Sequence, residues 1–346
     1  MVSRAFITGL SGVTLTSEER AFLREAQPWG LILFKRNVEN PAQVSGLTND
    51  FRSVVGWSAP ILIDQEGGRV QRLGPPHWPV YPPGAAYAAL YMRDQRLGRE
   101  AARLGARLIA ADLRAVGIDV DCLPLADVPV DEADPIIGDR AYGRTPEQVA
   151  VLAGEVAAGL LAGGVLPVLK HVPGHGRATA DSHLKLPVVD VARATLSASD
   201  FAAFQPLNGL PLGMTAHVVF SAIDAASPAT TSATMVSEVI RGEIGFQGLL
   251  MSDDVSMGAL SGSIAERSRA AIAAGCDVVL HCNGKLDEMR DVASAAPLLA
   301  GRALERADAA LAQRRAPEPI DLDAARRRLA ALLAGEAPGL QAGLQA

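Results

Sequence analysis

The sequence predicts a single closed (β/α)8 barrel of the TIM type, and three observations carry the prediction. Short apolar runs recur eight times, each followed by a turn and a helix-length stretch, the alternation that builds parallel sheets. The runs are nearly continuous in apolar character, as strands covered on both faces are. No Pro/Ser-rich linker divides the 346 residues, so one barrel fits better than two Rossmann-like halves.

The eight predicted strands are residues 5–8, 30–34, 61–65, 118–123, 166–171, 213–218, 248–253 and 277–281. Between them, 93–116 carries Leu97, Ala101, Leu104, Leu108 and Leu113 at helical spacing, and Gly117 stops it. The stretch 145–163 opens with Thr145 as a cap, Pro146 in the first helical position and Glu147 in the first turn. Further helices are expected at 261–275, 297–315 and 322–333. The Pro-, Gly- and Tyr-rich segment 71–91 is expected to be a long functional loop. The domain reading is a barrel over 1–335 and a Gly/Ala/Gln tail over 336–346, expected to be poorly ordered.

Composition narrows the function. Hydrophobic residues make up 49% and charged residues 20%, enough for a large core and unlike a disordered chain. Net charge is −6, from 32 basic and 38 acidic residues spread along the chain, so no phosphate-tracking surface is advertised and nucleic acid is not an expected partner. The longest uncharged stretch, 201–223, contains Gln205, Pro206, Asn208, Pro211 and His217, which no lipid-facing helix tolerates. The N-terminus lacks the pattern of a signal peptide. Cys122, Cys276 and Cys282 are odd in number and form no CxxC, so they read as small buried hydrophobes. The glycine-rich loops lack GxGxxG and GxxxxGK[ST], and no cofactor is expected. The sum is a cytoplasmic enzyme or binding protein.

In a barrel, the carboxyl ends of the strands and the loops after them carry the chemistry. Ionisable residues gather there: Asp64, Glu66, Arg69 and Arg72 after the third run, Asp127, Asp139 and Arg140 after the fourth, and Lys170 and His171 closing the fifth. His217 follows the sixth run, and Asp253 and Asp254 end the seventh. A charge at a buried strand end is costly without a partner or a role.

The segment KHVPGHGRATADSH, residues 170–183, holds His171, His175 and His183 from a total of six histidines. Lys170 is one of four lysines beside 28 arginines. Histidine spacings of four and eight on a Pro/Gly loop do not match a helical zinc-binding face, so no metal is expected, and His175 is read as packing to hold its turn. Asp181, two residues before His183, can accept from Nδ1, fix the tautomer and raise the basicity of Nε2, which makes a proton shuttle. Ser182 lacks the GxSxG elbow of a serine nucleophile. In Met251-Ser252-Asp253-Asp254, neighbours on a strand end point opposite ways, so one carboxylate can face the barrel mouth while structure holds the other. An aspartate nucleophile with a separate proton donor is the arrangement of retaining glycoside hydrolysis, with a histidine in place of the usual acid.

LIDQEGGRVQRL, IGDRAYG, LKHVPGHG, DSHLKLP, MTAHV and GLLMSDDVSMGAL, in this order and spacing, resemble the bacterial β-N-acetylhexosaminidases of glycoside hydrolase family 3, NagZ type. The resemblance implies one barrel that removes terminal non-reducing β-linked N-acetylglucosamine, typically from anhydro-muropeptides during cytoplasmic cell-wall recycling. It implies Asp253 as nucleophile, His183 as acid/base oriented by Asp181, and Asp64, Arg72, Arg140, Lys170 and His171 as substrate-binding residues. A histidine that can become cationic would not repel phosphate, so phosphorolysis stays open beside hydrolysis. β-Glucosidase activity and a catalytically silent muropeptide-binding barrel are the remaining alternatives. Arg177 stands where the family more often has an acidic or small residue, a departure that bears on the aglycone. Pro173, Gly174 and Gly176 are expected to let the His183 loop swing.

Overall fold

The computed structural model describes residues 3–335, so the expected tail at 336–346 lies outside the described residues. Eight parallel strands close a barrel in chain order: β1 (Arg4–Thr8), β2 (Pro28–Leu33), β3 (Ile61–Ile63), β4 (Val120–Asp121), β5 (Leu166–Val172), β6 (Leu212–Thr215), β7 (Leu249–Asp254) and β8 (Val278–His281). β1 pairs with β2 and, through Phe6 opposite Val279, with β8, which closes the ring.

The unbroken apolar runs sort into two cores. Ile7, Ile32, Leu62, Val168, Met251 and Val278 fill the barrel interior, while Phe6, Leu31, Leu33, Ile61, Leu169, Leu250 and Val279 pack under the outer helices. Adjacent residues of one strand therefore enter different cores, as the period-two geometry of a strand requires. At the amino ends of strands, Asp119 is held by Arg52 and Arg314, and Asp277 by Arg241 and Arg306. These buried carboxylates also accept the backbone N–H groups of Ile61 and Leu250, tying neighbouring strands at the stability face of the barrel.

The helices form where the caps stand. Thr145 caps Pro146–Ala162, and Ser263 with Glu266 forms a reciprocal capping box on Ile264–Ala274, which ends at Gly275 with φ +114°. Gly301–Leu311 and Leu322–Ala334 occupy the last two expected positions. Two expectations are corrected. Segment 71–91 is not one loop, since its last eight residues belong to a helix, Gly84–Arg93, formed by an Ala-rich stretch after Pro82 and Pro83. Its neighbour starts at Gln95 rather than 93, because Asp94 leaves the helical region and its side chain accepts from the Leu97 N–H. No helix among the described residues is long and apolar enough to cross a membrane.

Candidate active site

A cavity of about 450 Å³ opens at the carboxyl ends of the strands, lined by Asp64, Arg72, Arg140, Lys170, His171, His183 and Asp253 among others. A larger depression of about 700 Å³ beside Met92 and Asp131 shares no lining residue with it.

The cavity wall carries a chain of alternating charges. Arg72 donates to Asp64 at 2.9 Å, and Lys170 Nζ lies 3.0 Å from Asp64 and 2.6 Å from Glu66. Arg140 grips both oxygens of Glu66, Nε and Nη2 each at 2.8 Å. Burial raises the Asp64 and Glu66 carboxyls, but Lys170 outweighs it, helped by Arg72 at Asp64 and by Arg140 at Glu66; both stay below the usual carboxylate range. Burial lowers Lys170, and the same two carboxylates more than offset it. Every charge is matched, which is the condition for keeping such groups out of water. The outcome is a rigid set of donors and acceptors suited to neutral polyols.

Asp253 stands next to the last residue of β7, with its Oδ1 accepting the N–H of Asp254. Burial raises its carboxyl, and His217 and then His171 pull it below the usual range, which favours the anion. Asp254 is the carboxylate bound to structure: it accepts from Ser256 Oγ, the Ser256 N–H and the Cys282 N–H. His217 donates from Nε2 to the Asp254 carbonyl at 3.0 Å and thereby fixes the strand end that carries Asp253. His171 donates from Nδ1 to buried Asp127 at 2.7 Å, which leaves Nε2 for the cavity.

His183 sits on the loop after β5. Its Nδ1–H donates to Asp181 at 2.7 Å, and the same carboxylate accepts the His183 backbone N–H at 2.9 Å. Burial raises Asp181, but these two bonds and the His183 charge together outweigh it and lower the carboxyl. The His183 side chain is 62% exposed, so Nε2 is free to meet an incoming group. The three clustered histidines thus have three different anchors. His175, buried as expected, uses its backbone N–H to bind Asp127 at 2.6 Å and its ring to bind Ser182.

The N-terminal domain model of glycosyl hydrolase family 3 matches residues 6–313. The chain belongs to glycosyl hydrolase family 3. Family relatives include a β-hexosaminidase of Alkalilimnicola ehrlichii, 41% identical over 287 residues and 82% of each chain, and one of Pseudomonas aeruginosa, 38% identical over 281 residues, covering 80% of this chain and 81% of the other. Among solved structures, NagZ from Neisseria gonorrhoeae in complex with N-trifluoroacetyl-D-glucosamine superposes with a TM-score of 0.82 at 31% identity, covering 99% of this chain and 96% of the other. The β-N-acetylhexosaminidase of Beutenbergia cavernae gives 0.74 at 28%, with 95% and 96% covered.

All eight residues expected at the site lie in this cavity or, for Asp181, on a residue that lines it. Glu66 and Asp127 were read from the sequence as ionisable groups at strand ends but given no role in the site. Glu66 carried a further signal, since it stands two residues after Asp64 and so faces the same side. Asp127 carried no sign of its partners, because they come from β5 and the loop after it. One expectation is corrected. Arg177 does not line the cavity: it donates to buried Asp200 at 2.7 Å and to Ser199. A Cβ on Gly176 would meet the Val128 carbonyl oxygen at 2.0 Å, and Gly174 stands at φ +143°.

Proposed function

We propose that the protein is a retaining exo-β-N-acetylglucosaminidase working by double displacement. The observation that carries the reading is one cavity lined both by a half-buried carboxylate, Asp253, and by a histidine whose Nδ1 is held by Asp181. Asp253 attacks C1 of the sugar as the C1–O bond breaks, and protonated His183 passes its Nε2 proton to the leaving oxygen. Water then attacks C1 of the glycosyl-aspartate, giving its proton to His183 and releasing Asp253 with net retention. Asp181 fixes the tautomer and stabilises the imidazolium. Asp64, Arg72, Arg140, Lys170 and His171 bind the sugar through its hydroxyl and acetamide groups. The substrate class follows from the relatives named β-hexosaminidase and from the N-acyl glucosamine in the Neisseria complex. On the same family ground, the physiological substrates are anhydro-muropeptides of cell-wall recycling and the compartment is the cytoplasm, which suits three buried free thiols.

Trapping with a 2-deoxy-2-fluoro glycoside followed by peptide mass mapping is the decisive experiment. The adduct is expected on Asp253; an adduct elsewhere, or inverted early product by NMR, overturns the mechanism. Rates on aryl N-acetylglucosaminide against aryl glucoside, with and without phosphate, separate the glucosidase and phosphorylase alternatives.

A further inference from the structure

The Asp181–His183 pair stands on a loop tip that offers little to hold it. Between Asp181 and Leu186, Ser182 is the only buried side chain, 3% exposed, while Leu184 next to the pair is 79% exposed. The tip is docked by two backbone bonds, from the Gly258 N–H to the His183 carbonyl and from the Ala259 N–H to the Ser182 carbonyl, each at 3.2 Å. One side-chain bond joins them, between Ser182 Oγ and His175 Nε2 at 3.1 Å.

His175 is itself immobile. It is 3% exposed, its backbone N–H binds Asp127, and Asp127 also holds the His171 ring. A continuous path therefore runs from the sugar-facing ring of His171 through Asp127 and His175 to the residue between Asp181 and His183. The backbone bonds to Gly258 and Ala259 hold the tip to the segment after β7, and the Ser182–His175 bond ties it to the turn after β5 as well.

We propose that the Ser182–His175 hydrogen bond is a latch that positions the proton-donating pair, with Ser182 and His175 as positioning residues rather than catalytic ones. The inference rests on the assignment of His183 as acid/base. A mispositioned acid slows glycosylation in proportion to the protonation the leaving oxygen needs, while the base role of His183 in deglycosylation is common to every leaving group, so the latch has a leaving-group signature in kcat/KM that general destabilisation lacks.

The test measures Ser182→Ala and His175→Phe, singly and together, on two N-acetylglucosaminides, one with a nitrophenol and one with an alkyl alcohol as leaving group. The expected result is a fall of about tenfold in kcat/KM for the alkyl glycoside, with kcat/KM for the nitrophenyl glycoside within about twofold, as the loss of one hydrogen bond in the glycosylation transition state gives. The double variant should be no worse than the poorer single one, and Ser182→Thr, which keeps the hydroxyl, should recover the alkyl rate. The ratio of the two rates is independent of the fraction of enzyme folded. Equal losses on both substrates, or losses that multiply in the double variant, overturn the latch. His183→Ala run in parallel separates the failures. If it shows the leaving-group effect and Ser182→Ala does not, the latch falls alone; if His183→Ala shows none, the acid/base assignment falls and takes the latch with it.

Discussion

The backbone N–H of Gly258 donates to the carbonyl of His183 at 3.2 Å, so the loop after β5 rests on the segment that follows Asp253. A Cβ on Gly258 would stand 2.9 Å from the carbonyl oxygens of both His183 and Leu184. Both obstacles are backbone, which moves only with the loop. Gly258→Ala should therefore cut turnover of alkyl glycosides at least tenfold while shifting the thermal midpoint by only a few degrees. Kinetics alongside calorimetry check this, and unchanged kinetics would show that the tip does not depend on its seat.

His183→Ala should reduce kcat/KM on alkyl N-acetylglucosaminides by a factor of about 10² to 10⁴, the span of general acid catalysis, and far less on nitrophenyl ones. Asp181→Asn should show the same pattern more weakly, since the amide still occupies the space but no longer supports an imidazolium. Asp253→Asn should leave almost no turnover on either substrate while retaining sugar binding by calorimetry.

Glu66 matches two cations, Arg140 and Lys170, in a site that excludes water. Glu66→Gln leaves both short of counter-charge, and breaking a buried pair from one side costs roughly 3–5 kcal/mol. A lower urea midpoint together with a raised KM is expected. A variant that loses stability at unchanged KM would make the network a purely structural device.

Acid should destabilise the protein in two stages. Burial, reinforced by the neighbouring His171, pushes the His175 ring down to about 4, and burial also lowers His217. Between the unfolded value near 6.5 and the folded one, the unfolded chain binds more protons, so stability is intact above pH 6.5 and falls as pH drops toward 4. Asp64, Glu66, Asp127 and Asp253 are lowered in the fold, so their contribution is present above about pH 4 and is lost below it. Thermal midpoints from pH 7 to 3 should trace both stages. His175→Phe should flatten the first, and an unaltered slope there would remove His175 as its source.

The amino-acid order alone specified the eight strands, the helix cap at Thr145 and the strand ends at which chemistry gathers. These are local properties, written in apolar period, cap residues and turn chemistry within a few neighbours of each position. Even Asp181 with His183 was legible, because two residues on one loop can meet without help from the rest of the chain. Partnerships across the barrel were decided only by closure. Lys170 meets Asp64 across 106 positions, Arg140 meets Glu66 across 74, and Asp127 gathers His171 and His175 from another strand. Arg177 found Asp200 rather than the cavity for the same reason. Which charge faces which depends on strand register and on where desolvation leaves a group without water, and neither exists until the ring of strands is complete.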